Sequence, residues 1–310
     1  MNWMENNWAG WMYARLRETW AELRMEKQAP MSRYTSFRIG GPAPLLIFPA
    51  NTDQVRKVLG LATVCGKEAA VVGKGTNLLV KDEGLNRPVI RMTEMRSLRF
   101  LDDTTVEAQA GITLAALATA AWRAGLTGLE FAHGIPGTLG GAVMMNAGAY
   151  DGEMKQVIRS VTAIFTKPPY ALRTFTAEEC EFGYRHSVFE DSEWLVLSAV
   201  ISLKKGDAAE IRAKMDELAA RRKQSQPLEY ASAGSTFKRP EGYFAGTLID
   251  QSGLKGLRCG DAQVSEKHAG FVINTGNATA AQVLELIEQV RQEVQQKHGV
   301  LLEPEVRLLG

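Results

Sequence analysis

GIPGTLGGAVMMNAGAY (134–150) holds five glycines, Gly134, Gly137, Gly140, Gly141 and Gly148, and no charged side chain. Glycine inside an element costs roughly 0.5–1 kcal/mol relative to alanine, so packing alone is a poor reason for the pattern. The stretch reads as backbone left bare so that another group can come close to it.

A second bare loop lies upstream, in VVGKGTNLLV (71–80), where Gly73 and Gly75 follow an apolar strand. No Gly-Lys-Ser/Thr ends this loop, so it is not a Walker A sequence. It also lacks the third glycine and the following helix of a Rossmann fingerprint. Backbone amides in such turns converge on anions, above all on a diphosphate. One G-x-G alone also suits a tight hairpin. Two loops in one chain point to a large ligand with a diphosphate in its middle.

The surrounding pattern is mixed helix and strand. PLLIFPA reads as a strand. NTDQVRKVLGLATVCG reads as a helix capped by Thr52, with Val55, Val58, Leu59 and Ala62 inward and Gly66 at its end. AAVVGKGTNLLV reads as strand, loop, strand, and DTTVEAQAG as a further strand. Thr113 caps a helix bearing Leu114, Leu117, Ala118 and Ala121 that stops at Gly125. VIRSVTAIF and WLVLSAVISL are dense in β-branched residues, as strands are. DAAEIRAKMDELAARRKQSQP is a helix with Ile211, Met215 and Leu218 inward and a stop at Pro227. Ala280–His298 is another, with a Thr279/Gln282 capping box and a Val283, Ile287, Val290, Val294 stripe. GVLLEPEVRLLG reads as a closing strand. The first 28 residues, with Trp3, Trp8, Trp11 and Trp20 around Leu16 and Leu23, read as a helix docked on the body. Glu5, Glu18, Glu22 and Glu26 argue against a membrane-surface helix, and Pro30 ends the segment. The expected division is a docking helix at 1–30, subdomains at 31–105 and 106–206, and a C-terminal domain at 207–310.

The chain has 310 residues, 45% hydrophobic and 23% charged, with net charge +1, which suits a soluble protein of two or three domains. That charge offers nucleic acid and anionic membranes no electrostatic reason to bind. Cys65, Cys180 and Cys259 share no close spacing, which suits reduced thiols in a cytoplasmic setting and no zinc site. No apolar run approaches the ~20 residues needed to span a bilayer, and the start lacks a secretory pattern. The histidines and carboxylates show no metal-ligand spacing, so no metal is expected.

YTSFRIGGPA, VVGKGTNLLV, LTGLEFAHGIPGTLGGAVMMNAGAY, YRHS, AGSTFKRP, VSEKHAGFVIN and LEPEVRLLG follow one another in a single order from about Tyr34 to the C-terminus. In that order and spacing the chain resembles the bacterial UDP-N-acetylenolpyruvoylglucosamine reductases. It is similar to their shorter type, since no lid insertion separates YRHS from AGSTFKRP. The resemblance implies an α+β fold: a vanillyl-alcohol-oxidase-like FAD-binding unit of two subdomains, joined to a C-terminal α+β substrate-binding domain. It implies non-covalent FAD, NADPH as co-substrate, and UDP-N-acetylglucosamine enolpyruvate as substrate, in peptidoglycan precursor synthesis. Gly73, Lys74, Gly75, Thr76, Asn77 and Leu78 would hold the phosphates. Gly134, Ile135, Gly137, Thr138, Gly140, Gly141 and Ala147 would offer the flavin a surface without bulk.

In the implied reaction, hydride passes from NADPH to FAD and then to the methylene carbon of the enol ether. Charge developing on the carboxylate side needs stabilising, and the adjacent carbon needs a proton. Ser235 in AGSTFKRP is the implied donor, acting on a far stronger base than water. Arg185 in FGYRHS would hold the carboxylate and stabilise the enolate through its permanently charged, forked guanidinium. Glu303, Glu305 and Arg307 would share a strand face by alternation, and the resemblance places the orienting or alternate acid on Glu305. Lys238 and Arg239 could meet a diphosphate or the carboxylate, with Tyr230 and Gln226 as pocket walls. His268 reads as structural. His133 adjoins the flavin loop, without covalent attachment being expected. Pro44, TKPPYALRTF, His133 and Ala231 depart from the expected pattern without touching Ser235, Arg185 or Glu305. Two other readings stay open: a different FAD-dependent oxidase on this fold, and a redox-inactive nucleotide-sugar-binding protein. A monomer is expected, without membrane anchoring.

Overall fold

Alternation of apolar strands with an amphipathic helix between Pro42 and Val72 builds a βαβ unit. The computed structural model describes residues 3–310, and side chains from residue 7 onward. Its helices are α1 (Trp3–Thr19), α2 (Thr52–Val64), α3 (Leu114–Arg123), α4 (Leu139–Met144), α5 (Ala208–Ser225), α6 (Ala245–Gln251) and α7 (Ala280–His298). Tertiary contacts divide the chain into two units, each made of discontinuous pieces. The first comprises Met1–Lys27, Pro44–Lys74 and Arg87–Ala220; the second comprises Gln28–Ala43, Gly75–Asn86 and Arg221–Gly310.

The first unit holds two sheets. In one, Pro42–Phe48 and Ala70–Val72 both run parallel to Val89–Arg91, with Leu46 opposite Val89 and Ala70 on its other side. Arg24–Pro30 lies at the edge. The other sheet is antiparallel, in the order Leu172–Thr176, Ile158–Phe165, Trp194–Ser202, Thr105–Gln109, Leu98–Phe100. One continuous core serves this unit. Trp8, Met12 and Leu16 enter it from one face of α1, Val55, Val58, Leu59 and Ala62 from α2, and Leu114, Leu117, Ala118 and Ala121 from α3. Each fully buried Leu, Val or Met of this kind contributes roughly 1.5–3 kcal/mol against exposure.

The second unit has its own core, built on Val283, Leu286, Ile287, Val290 and Val294 of α7 and on Phe37, Leu79, Phe237, Leu248 and Ile249. Its antiparallel sheet runs Ala231–Ser232, Val272–Asn274, Ala262–Val264, Arg258–Cys259. Leu78–Val80 and Arg307–Leu309 form a separate parallel pair. Both ends of α7 are capped: Thr279 and Gln282 form the reciprocal box, and Gly299 takes the left-handed conformation at φ 68°.

Three local expectations change. The opening helix stops at Thr19, and Arg24–Pro30 is an edge strand rather than more helix. The Arg/Met/Glu/Lys run favours a helix locally, but a sheet edge overrides that preference. Arg24 lies over the Phe48 ring at 4.0 Å, Lys27 lies over Tyr13 at 4.0 Å, and Ala29 turns inward. The side chains of Trp3 and Glu5 lie outside the described residues. The cap of α2 is Asn51, whose side chain accepts from the Gln54 amide at 3.0 Å, and not Thr52. The C-terminal segment is not one strand: only Arg307–Leu309 is extended in a ladder, and Pro304, which cannot donate, makes a single bridge to Phe237. Strict alternation of Glu303, Glu305 and Arg307 on one strand face therefore does not hold.

Candidate active site

In the first unit the glycine-rich stretch wraps around α4. Gly140 donates to the Ala110 carbonyl at 2.8 Å. A Cβ on Gly140 would sit 2.9 Å from the Ala110 Cβ, so a chain neighbour accounts for that glycine. Gly141 is different: a Cβ there would meet only the Thr138 hydroxyl, at an ordinary contact distance of 3.8 Å, so no crowding by the chain accounts for that glycine. A Cβ on Gly73 would run into that same hydroxyl. Thr138 is 2% exposed, and its hydroxyl has no hydrogen-bond partner among the described residues. A hydroxyl with no protein partner, beside Gly73 and Gly141, fits a polar ligand group lying on this backbone. His133 Nδ1 is buried without a partner.

The Arg185 turn is fastened to this same stretch. Gly183 and His186 exchange backbone hydrogen bonds at 3.1 and 3.3 Å, leaving Tyr184 and Arg185 at the tip. Arg185 is left-handed at φ 53°. Its Nη2 donates to the Gly148 carbonyl at 3.4 Å, and its guanidinium carbon lies 5.2 Å from the centre of the Tyr184 ring. Asn146 donates to the Gly183 carbonyl at 2.9 Å, and Ser187 Oγ donates to the Met144 carbonyl at 2.8 Å. The segment 144–148 thus grips the turn before, at and after Arg185. The sequence pattern alone does not single out Asn146 or Ser187. The available signal was that Asn146 has the only polar side chain between Thr138 and Tyr150. Beneath the turn, burial pushes the Cys180 thiol up to about 12, helped by Glu179 and Glu178, so it is no nucleophile.

The second unit gathers Ser235, Glu305 and Asn77. Gly234, left-handed at φ 80°, turns the chain so that exposed Ser235 stands at the start of an extended segment. In that segment the Thr236 carbonyl accepts from the Glu305 amide at 2.8 Å, and the Lys238 amide donates to the Glu303 carbonyl at 2.8 Å. Asn77 Nδ2 donates to the Glu305 carbonyl at 3.0 Å, and the Arg307 amide donates to the Asn77 carbonyl at 3.0 Å. The Ser235 hydroxyl meets no partner among the described residues.

Lys238 pairs with Glu303 at 2.5 Å. Arg239 stacks 3.9 Å over Phe244 and donates to the Tyr243 carbonyl. Tyr230 is 47% exposed, and Gln226 Oε1 is buried without a partner. The amides of Gly73 and Lys74 in the first unit, and of Gly75, Thr76 and Asn77 in the second, donate no hydrogen bond among the described residues. Leu78 begins the strand paired with Arg307. His268 is held below its ordinary value by burial, and its Nδ1 accepts from the Gly270 amide at 3.1 Å. Among the described residues no three His, Cys, Asp or Glu side chains gather as a metal site, and no helix is long and apolar enough to cross a membrane.

Residues 43–167 match the model of an FAD binding domain, and residues 226–309 match that of the UDP-N-acetylenolpyruvoylglucosamine reductase C-terminal domain. Together with the elements above, these matches make the chain an α+β flavoprotein, with an FAD-binding part followed by a C-terminal α+β domain. It is 46% identical to the UDP-N-acetylenolpyruvoylglucosamine reductase of Caldanaerobacter subterraneus subsp. tengcongensis, covering 96% of this chain and 97% of that protein. The counterpart in Clostridioides difficile is also 46% identical, over 91% of this chain and 92% of that one. The crystal structure of the reductase from Thermus caldophilus superposes with a TM-score of 0.79 at 37% identity, covering 93% of this chain and all of that one. The chain belongs to the UDP-N-acetylenolpyruvoylglucosamine reductase family.

Proposed function

We propose that the chain reduces the enolpyruvyl ether of UDP-N-acetylglucosamine to the lactyl ether of UDP-N-acetylmuramate, with NADPH as reductant, in peptidoglycan precursor synthesis. One observation carries the reading: the bare segment 138–148 also holds the Arg185 guanidinium. When bound, FAD supplies hydride transfer from NADPH to the methylene carbon.

Thr138 and the surface at Gly141 and Ala147 would hold the cofactor, with Gly134, Ile135, Gly137 and Gly140 completing that surface, and the amides of 73–77 would hold its phosphates. Arg185 binds the substrate carboxylate and offsets the charge that grows there as the double bond is lost. Ser235 Oγ donates its proton to the carbon next to the carboxylate, and solvent restores it. Glu305 orients the carboxylate or serves as alternate acid. NADPH, a proton and the enol ether become NADP⁺ and the saturated ether. Lys238, Arg239, Tyr230 and Gln226 line the nucleotide-sugar site, Lys238 exchanging Glu303 for the ligand. The labour divides at about residues 105 and 206, between two cofactor-holding subdomains and a substrate domain. The enzyme works in the cytoplasm as a monomer, in support of cell division.

The test is spectroscopic. The purified protein should be yellow, and denaturation should release the colour. Under anaerobic conditions NADPH should bleach it and the enolpyruvyl sugar should restore it. A colourless protein that still binds UDP, or colour restored by oxygen alone with no response to the sugar, would overturn the proposal.

A further inference from the structure

We infer that Asn146 is a positioning residue: it sets the Arg185 guanidinium relative to the cofactor-lining backbone, and so acts on the substrate-reducing step alone. The inference rests on the role proposed for Arg185.

Asn146 is 1% exposed and left-handed, at φ 40°. Its side chain is used on both sides. Nδ2 donates to the Gly183 carbonyl at 2.9 Å and to Glu153 Oε2 at 2.8 Å, while Oδ1 accepts from the Lys155 amide at 2.9 Å. Gly183 is the residue whose amide and carbonyl close the turn that carries Arg185. The Asn146 amide thus spans from a closing residue of that turn to the hairpin Gly148–Glu153, in which Glu153 pairs with Gly148. The Gly148 carbonyl in turn accepts from Arg185 Nη2. The loop is closed: Asn146 to Gly183, Gly183 through the turn to Arg185, Arg185 to Gly148, and Gly148 back along the chain to Asn146.

Residue chemistry narrows the choice. The site needs two N–H donors facing two acceptors, one of them the Glu153 carboxylate, plus one acceptor facing an amide. Aspartate fits the shape but would set a second carboxylate against Glu153 and the Gly183 carbonyl. A backbone at positive φ favours asparagine or glycine over other residues. A misplacement of about 1 Å at a reacting centre can cost on the order of 10²-fold. Loss of the amide link would therefore show first in the step that needs the guanidinium.

The test uses Asn146→Gly, which keeps the positive φ at ease, with Asn146→Asp as a second variant, each purified with FAD bound. Flavin reduction by NADPH should stay within about twofold of wild type, while reoxidation by the enolpyruvyl sugar should slow by roughly 10–100-fold. The same change in an Arg185→Ala background should add less than about twofold, because the link would then have nothing to position. Equal losses in both half-reactions, or an undiminished further loss in the Arg185→Ala background, would overturn the inference. If Arg185→Ala itself left reoxidation unchanged, the proposed role of Arg185 would fall, and the positioning role with it. That result is distinct from an Arg185 effect that Asn146 does not share.

Discussion

Replacing Thr138 by valine swaps a hydroxyl for a methyl of nearly the same size, at a residue 2% exposed whose hydroxyl has no partner among the described residues. Gly73 leaves room for the new methyl, since only the absence of its Cβ keeps it clear of that position. In the cofactor-free protein the hydroxyl has no protein hydrogen bond to lose, so its removal should change stability by less than about 1 kcal/mol. With the cofactor bound, the hydroxyl gains its partner, and valine forfeits that bond. A bond to a neutral flavin atom is worth about 0.5–1.5 kcal/mol and one to a phosphate oxygen about 1.5–3 kcal/mol. FAD affinity should therefore fall roughly 2–13-fold in the first case or roughly 13–160-fold in the second. Titration of the apoprotein, followed by flavin fluorescence quenching, measures the affinity, and urea unfolding of the apoprotein measures the stability. An unchanged FAD affinity would refute the reasoning. A loss of apoprotein stability equal to the loss in binding would make Thr138 a packing residue instead.

Asp82 caps α7 with both oxygens, accepting from the Ala280 amide at 2.8 Å and the Ala281 amide at 3.1 Å. Asp82→Ala should cost about 1–2 kcal/mol, read as a lowered urea midpoint with FAD affinity retained. An unchanged midpoint would show that Thr279 alone suffices as the cap. His268, held by burial below its ordinary value of 6.5, binds a proton more readily in the unfolded chain. Its contribution to stability should be complete above about pH 6.5 and be lost as pH falls through the lower folded value. The urea midpoint should therefore drop on acidification, and His268→Asn should flatten that drop. An identical pH slope in the variant would remove His268 as the cause.

What was legible in the sequence was mostly local. The Thr113 cap, the Thr279/Gln282 box and the apolar faces of α2, α3, α5 and α7 involve residues three or four apart, where pattern and chemistry coincide. Long-range pairings were not legible. Arg24–Pro30 has helix-favouring residues and becomes a strand because a sheet edge is available. Pro304 breaks a stretch whose alternation suggested one strand. The glycine-rich segment announced a close approach, but its glycines differ: Gly140 yields to Ala110, and Gly141 is crowded by no chain neighbour. The motif order carried the family and the names Ser235, Arg185 and Glu305. It was silent about Asn146 and Ser187, whose partners lie 37 and 43 residues away in the chain.

The most direct measurement of the account is rapid-mixing kinetics of Ser235→Ala, with the two half-reactions recorded separately on the flavin absorbance. If Ser235 delivers the proton, reduction by NADPH keeps its wild-type rate, and reoxidation by the enolpyruvyl sugar slows by roughly 10²–10⁴-fold. An unaltered reoxidation rate, or an equal loss in both directions, would contradict it.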